Sequence, residues 1–295
     1  MIKFIRAESG HGIGNTIRAL INAIWLSEIH NTQLDYSEIS ELLTLNNSSF
    51  KDTNICKDAN GGSWALRIPD VYKGNYLYDM NKKLFLTYDT KITETRGIDF
   101  QYFNILQEVR DIYIKMFKKI KFNDVITKEV AMFASSIDFQ NTVGVHVRTW
   151  KGYTHRNLIC FDEDLLFNTI SSIKTENILI ISDDTNLIQK AKKLFPNIIT
   201  CTDIFNWKYN HYPECIQINN DKKTYTLNNK TFELNCYQAI FEMLVLSKCK
   251  SIIGSYQSTF TDCAWWLSEC KPITILETDI VTLLNRRYKA RYNSI

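Results

Sequence analysis

Three short polar motifs have residue types and spacing that could do chemistry, and each follows a β-like apolar run: His146-Val147-Arg148, Ser182-Asp183-Asp184, and Gly254-Ser255-Tyr256-Gln257-Ser258-Thr259-Phe260-Thr261. The third leaves a buried strand and enters a helix. Free backbone N–H groups, the positive end of the helix dipole and the hydroxyls of Ser258 and Thr259 converge there, which suits a diphosphate, with the Phe260 ring in the same turn. Ser258 equally suits the N-cap of that helix. Strand alternation points His146 and Arg148 to one side and Val147 to the other. A guanidinium at that strand end can grip phosphate oxygens and offset charge on a departing diphosphate, or it can form a structural pair with a carboxylate. Of Asp183 and Asp184, one can cap the following helix while the other accepts bonds from a base or ribose. The combined chemistry is that of a site for a phosphorylated, ring-bearing ligand.

A second cluster lies near the N-terminus, where Glu8, Gly10, His11, Gly12, Gly14 and Asn15 surround a turn. Its glycines let the backbone approach a ligand closely, and the Asn15 amide can hold a sugar or phosphate. Asp162-Glu163-Asp164 is formally a metal-binding DxD, but acidic residues directly before Leu165-Leu166-Phe167 suit the first turn of a helix, so no metal ligand is assigned.

The elements needed to position these residues are legible from periodicity. Ile2 to Ala7 predicts a strand; Ile17, Leu20, Ile21, Ile24, Trp25 and Ile29 recur at helical spacing; Gln33 to Tyr36 predicts a second strand. Residues 40 to 100 predict irregular loops over a few strands, and Phe103 to Phe117 a helix. Lys118 to Ile137 is expected to carry a link between domains. From Thr142 the alternation is regular: strand 143–147, helix 163–173, strand 177–181, helix 185–194, strand 198–200, helix 232–247, strand 251–253, helix 259–267 and strand 273–276. Strands separated by helices of this length form parallel sheets whose ligands sit beyond the carboxyl ends. The fold class expected is α/β, with two Rossmann-like domains facing across a cleft. The boundaries are 1–138 for an N-terminal domain, 139–278 for a nucleotide-binding domain, and 279–295 for a C-terminal helix packing across both.

Composition limits the alternatives. The 295 residues are 45% hydrophobic, enough for two cores, and the net charge of +3 is too small for a nucleic-acid binder lacking a concentrated basic face. Arg286, Arg287, Lys289 and Arg291 form a basic cluster that reads as a solvated helix face, with contact to an anionic membrane surface as the other reading. Charges interrupt every apolar window of the opening residues, so neither a signal peptide nor an anchor is expected. Eight scattered cysteines without a CxxC pair predict free, mostly buried thiols and a cytoplasmic protein.

Residues 178–196 (ILIISDDTNLIQKAKKLFP) and 237–266 (YQAIFEMLVLSKCKSIIGSYQSTFTDCAWW) resemble the second and third motifs of the fucosyltransferase superfamily that includes the α1,2-, α1,6- and protein O-fucosyltransferases. His146-Val147-Arg148 resembles its first motif, and Gly12-Ile13-Gly14-Asn15 is similar to the G-(L/I/F)-G-N turn of many members. The resemblance implies a GT-B fold, inverting metal-independent transfer without a cofactor, GDP-fucose as donor and a glycan as acceptor. It implies that Arg148 and Ser258 with Thr259 meet the phosphates, and that His146 and the aspartate of the second motif hold the nucleotide. Where many members carry a second arginine this chain has Thr149; Lys151 and Arg156 are the nearby cations able to replace it. The acceptor hydroxyl needs a base, and His11 is favoured over Glu8.

Three alternatives stay open. The fold could serve another nucleotide sugar. It could be a non-catalytic module that binds a nucleotide or glycan. A dinucleotide-dependent oxidoreductase is the third, weakened because Asn15 stands where G-x-G-x-x-G needs its last glycine.

Overall fold

The computed structural model describes residues 4–6, 13–14, 17, 20–21, 24, 28, 33–35, 43–45, 107–149, 161–204, 216–219, 224–227, 230–255 and 258–276. The chain divides into two compact units, Met1–Glu129 with Tyr209–Phe241, and Val130–Lys208 with Glu242–Ile295.

In the first unit, β1 (Phe4–Arg6) pairs in parallel with β2 (Gln33–Asp35), with Ile5 opposite Leu34. The crossover between them contains helical residues whose apolar members Ile13, Ile17, Leu20, Ile21 and Ile24 are buried, the one-sided pattern expected of a helix covering a sheet. β3 (Leu43–Leu45) pairs antiparallel with β4 (Ile120–Phe122), which follows the helix Gln107–Phe117 (α1). The stretch expected to link domains does hold the division between the units, at Glu129 and Val130, and it is regular structure, β4 and the helix Asp124–Ala134 (α2), with Ile126, Val130 and Phe133 as a buried helical stripe. On α2, Glu129 is buried and accepts a hydrogen bond from the Tyr237 hydroxyl at 2.9 Å; burial raises its carboxyl to about 7.

The second unit is built on five parallel strands. In chain order these are β5 (Thr142–Val147), β6 (Asn177–Ser182), β7 (Ile198–Ile199), β11 (Ser251–Ser255) and β12 (Ile273–Leu276), and the spatial order is β12-β11-β5-β6-β7. All six residues of β5 are buried, as a central strand covered on both faces requires. The helices α3 (Glu163–Ser171), α4 (Thr185–Leu194), α5 (Cys201–Ile204), α6 (Leu234–Lys248) and α7 (Thr259–Leu267) lie between and before these strands in the chain. Val143, Val145, Val147, Ile178, Ile180, Leu166, Leu187 and Ile253 share one hydrophobic core. Between α5 and α6, β8 (Ile216–Asn219), β9 (Thr224–Leu227) and β10 (Lys230–Glu233) form an antiparallel meander belonging to the first unit.

Two features fix the sheet against its helices. A Cβ on Gly144 would stand 2.5 Å from Leu246 Cδ1 and 3.0 Å from Cys249 Sγ, so only glycine lets α6 lie this close to β5. Lys271 Nζ donates to the carbonyls of Ser247, Lys248 and Cys249 at 2.8 to 3.3 Å, placing a cation on the carbonyl end of α6, where the dipole favours it. Cys201 and Cys249 are buried free thiols. Among the described residues no helix is long and apolar enough to cross a membrane.

Candidate functional site

The order β12-β11-β5-β6-β7 makes β5 and β11 neighbours whose onward connections leave in opposite directions across the sheet: from β5 the chain proceeds to β6 and β7, from β11 to β12. Such a switch point opens a crevice beyond the carboxyl ends of the two strands, because the following loops diverge there. His146 and Arg148 stand at that end of β5, Ser255 at that end of β11, and Ser182 with Asp183 at that end of β6.

β11 reaches the helix α7 through Ser258, its N-cap, whose Oγ accepts the Thr261 N–H at 3.4 Å. The capping role is therefore real, and it leaves the N-terminus of a nine-residue helix at the switch point. Gly254 is what allows α7 so near: a Cβ there would fall 2.1 Å from Thr261 Cγ2. Ser258, Thr261 and Asp262 are buried, while Thr259 and Phe260 in the first turn are half-buried.

His146 joins strand to helix. Its Nδ1 lies 2.7 Å from Thr261 Oγ1 and 3.5 Å from Ser258 Oγ, and its ring stacks on Phe260 with centroids 4.4 Å apart at 22°. The side chain is buried, and burial, helped by the positive charge of Arg148, lowers the imidazole to about 3. His146 is a neutral imidazole at physiological pH, tying the β5 terminus to the hydroxyls of the capping turn.

Arg148 is half-buried, its side chain 41% accessible. Its backbone N–H donates to Ser255 Oγ at 2.7 Å, and its Nη1 contacts Asp183 Oδ2 at 3.0 Å. The expected choice between phosphate contact and structural pairing thus has one half answered: the pair with a carboxylate is present. Asp183, read from sequence as an acceptor for a base or ribose, takes bonds from its own chain. Its Oδ1 accepts the Thr149 N–H at 2.8 Å and the Thr149 hydroxyl at 3.1 Å. Asp184 is the cap of α4, accepting the Asn186 N–H at 3.0 Å.

Of the remaining sequence candidates, Gly14 is helical and buried. Glu8, His11, Gly12 and Asn15 lie outside the described residues, as do Lys151 and Arg156. Asp162 Oδ1 caps α3 by accepting the Leu165 N–H at 3.0 Å, and Glu163 is ion-paired with Lys190. Among the described residues no group of three or more His, Cys, Asp or Glu side chains is arranged to hold a metal ion. Sequence reasoning passed over Ser255 and Thr149 as site residues; the signal was their place at or just past strand ends, where small hydroxyls bond a neighbouring strand's backbone or carboxylate.

No family model matches the sequence, and no curated protein matches it. Among solved structures the chain is similar to the fucosyltransferase NodZ from Bradyrhizobium, with a TM-score of 0.50 and 11% identity over 90% of this chain and 91% of that one. It is similar in the same measure to a NodZ alpha-1,6-fucosyltransferase co-crystallized with GDP, with a TM-score of 0.50 and 12% identity over 90% and 92% of the two chains. A NodZ alpha-1,6-fucosyltransferase soaked with GDP-fucose matches with a TM-score of 0.50 and 12% identity over 90% and 93%. The fold is fucosyltransferase-like, a mixed α/β glycosyltransferase fold with a parallel sheet.

Proposed function

We propose that this chain is an inverting, metal-independent GT-B glycosyltransferase that transfers L-fucose from GDP-fucose to a hydroxyl of a glycan acceptor. The observation that carries the reading is the switch point itself: a half-buried arginine and the capped N-terminus of α7 follow the carboxyl ends of adjacent strands, in a fucosyltransferase-like fold.

In this reading the unit of residues 130–208 with 242–295 binds the donor, and the unit of residues 1–129 with 209–241 binds the acceptor. The diphosphate lies against the first turn of α7, meeting the backbone N–H groups of Thr259 and Phe260, the Ser258 hydroxyl and the Arg148 guanidinium. The acceptor oxygen attacks the anomeric carbon as the bond from that carbon to the GDP oxygen breaks, and the pair of electrons leaves with GDP. Arg148 and the helix dipole stabilise that developing charge in the place where a divalent cation would otherwise act. The proton of the acceptor hydroxyl passes to a base, assigned to His11 in preference to Glu8. The ring of Phe260 and neutral His146 form an uncharged wall beside the nucleotide.

Calorimetric titration of the purified chain with GDP, GDP-fucose, UDP, UDP-sugars and NAD tests the reading by nucleotide choice. GDP and GDP-fucose are expected to bind and raise the melting temperature. Preference for UDP would retain the fold and replace the donor, and binding of NAD in place of them all would overturn the transferase reading.

A further inference from the structure

Thr149 stands where the first motif of the resembling family often has a second arginine, and its surroundings give it a different task. It is 2% exposed, and it donates both its backbone N–H and its hydroxyl to Asp183 Oδ1, at 2.8 and 3.1 Å. The other carboxylate oxygen, Oδ2, is 3.0 Å from Arg148 Nη1. One aspartate thus divides its oxygens between two successive residues of the strand end: the first oxygen is fixed by a buried threonine, the second holds the Arg148 guanidinium. The parallel register that sets Val147 opposite Ser182 brings 149 and 183 into reach.

We infer that Thr149 and Asp183 are positioning residues that hold the Arg148 guanidinium toward the diphosphate, with Asp183 acting through Arg148 and not on the nucleotide. This rests on the reading that Arg148 binds the donor's phosphates. An arginine side chain has several freely rotating bonds, so ordering it before ligand arrives removes an entropic cost from binding. Two fixed donors on Oδ1 hold the carboxylate plane, and with it the direction in which Oδ2 meets the guanidinium. A second arginine at 149 would add charge; a buried threonine adds none and instead spends two hydrogen bonds on orientation. Among the described residues, Arg148 is the cation placed at this strand end.

The test is a double-mutant cycle on GDP affinity, measured by calorimetry with melting temperatures as the folding control. Arg148→Ala is expected to weaken GDP roughly tenfold or more, and Asp183→Asn by a comparable factor; the double variant should be no weaker than Arg148→Ala, because a residue acting through Arg148 has nothing left to act on. Thr149→Val, which keeps shape and backbone N–H but removes the hydroxyl, should lose a few fold, and Thr149→Ser should recover to about the wild-type affinity. If Asp183→Asn weakens GDP further in the Arg148→Ala background, Asp183 meets the nucleotide itself and the inference fails while the site reading stands. If Arg148→Ala binds GDP as tightly as wild type, the site reading fails and the inference with it. Should Asp183→Asn not fold, the Thr149→Val and Thr149→Ser pair decides: equal wild-type affinity in both overturns the inference.

Discussion

His146 sits two residues before Arg148, yet it contributes no charge. Burial and the neighbouring Arg148 lower it to about 3, so it remains neutral from mild acid upward and works through its Nδ1 contacts with Thr261 and Ser258. The linkage has a definite sign. The unfolded chain protonates this imidazole near 6.5 while the folded one resists down to about 3, so stability is full above 6.5 and is lost as pH falls through that window. Melting temperatures of wild type and His146→Asn from pH 4 to 8 check this: the variant should melt lower at pH 8, having lost a buried network, and should fall less steeply with acid. Parallel acid slopes would contradict the assignment. At this scale the sequence was partly legible. A carboxylate directly before a helix announced the Asp184 cap, but the grip of Asp183 on Thr149 and Arg148 spans 34 residues and exists only through the register of β5 on β6.

The elements carrying the site depend on close approaches that side chains would block. Gly254 is the last residue but one of β11, close to the first turn of α7, and a Cβ there would meet Thr261 Cγ2 at 2.1 Å and Oγ1 at 2.9 Å. Thr261 Oγ1 is the atom bonded to His146, so displacing it disturbs the capping turn and the strand end together. Gly254→Ala is expected to cost about 1–3 kcal/mol of stability and to weaken GDP, and Thr261→Ser, which removes the methyl while keeping the oxygen, should restore part of both. Thermal melts with GDP titration read the two effects, and an unchanged Gly254→Ala would show that α7 is free to shift. Helices 185–194 and 259–267 and strand 273–276 match the sequence reading in bounds because caps at Asp184 and Ser258 and clean apolar runs mark them. The meander β8-β9-β10 was missed: its strands are four residues each and rich in Asn, Gln, Thr and Lys, with no apolar run to announce them. Strand β4 and helix α2 were hidden by a reading of 118–137 as connection, since tertiary pairing with β3 stabilises a three-residue strand that local pattern does not reveal.

Taken as a whole, the molecule places its three polar motifs at one end of one parallel sheet although they lie more than 100 residues apart in the chain, from His146 to Ser258. That convergence follows from topology: the reversal between β5 and β11 brings the first and third motifs side by side, and β6 adds the second. The α/β class was legible because each polar motif follows an apolar run and the strands alternate with helices. Residues 40 to 100 were not legible, since they lack periodicity. The central claim is that Arg148 and the α7 N-terminus form a donor site that turns over a nucleotide sugar. The most direct measurement is GDP release from GDP-fucose, with and without a glycan acceptor mixture, by wild type and Arg148→Ala. Wild type should release GDP, and the variant, with an unchanged melting temperature, should be slower by roughly two orders of magnitude; a variant within a few fold of wild type, or no release from GDP-fucose by the wild-type chain, would contradict the account.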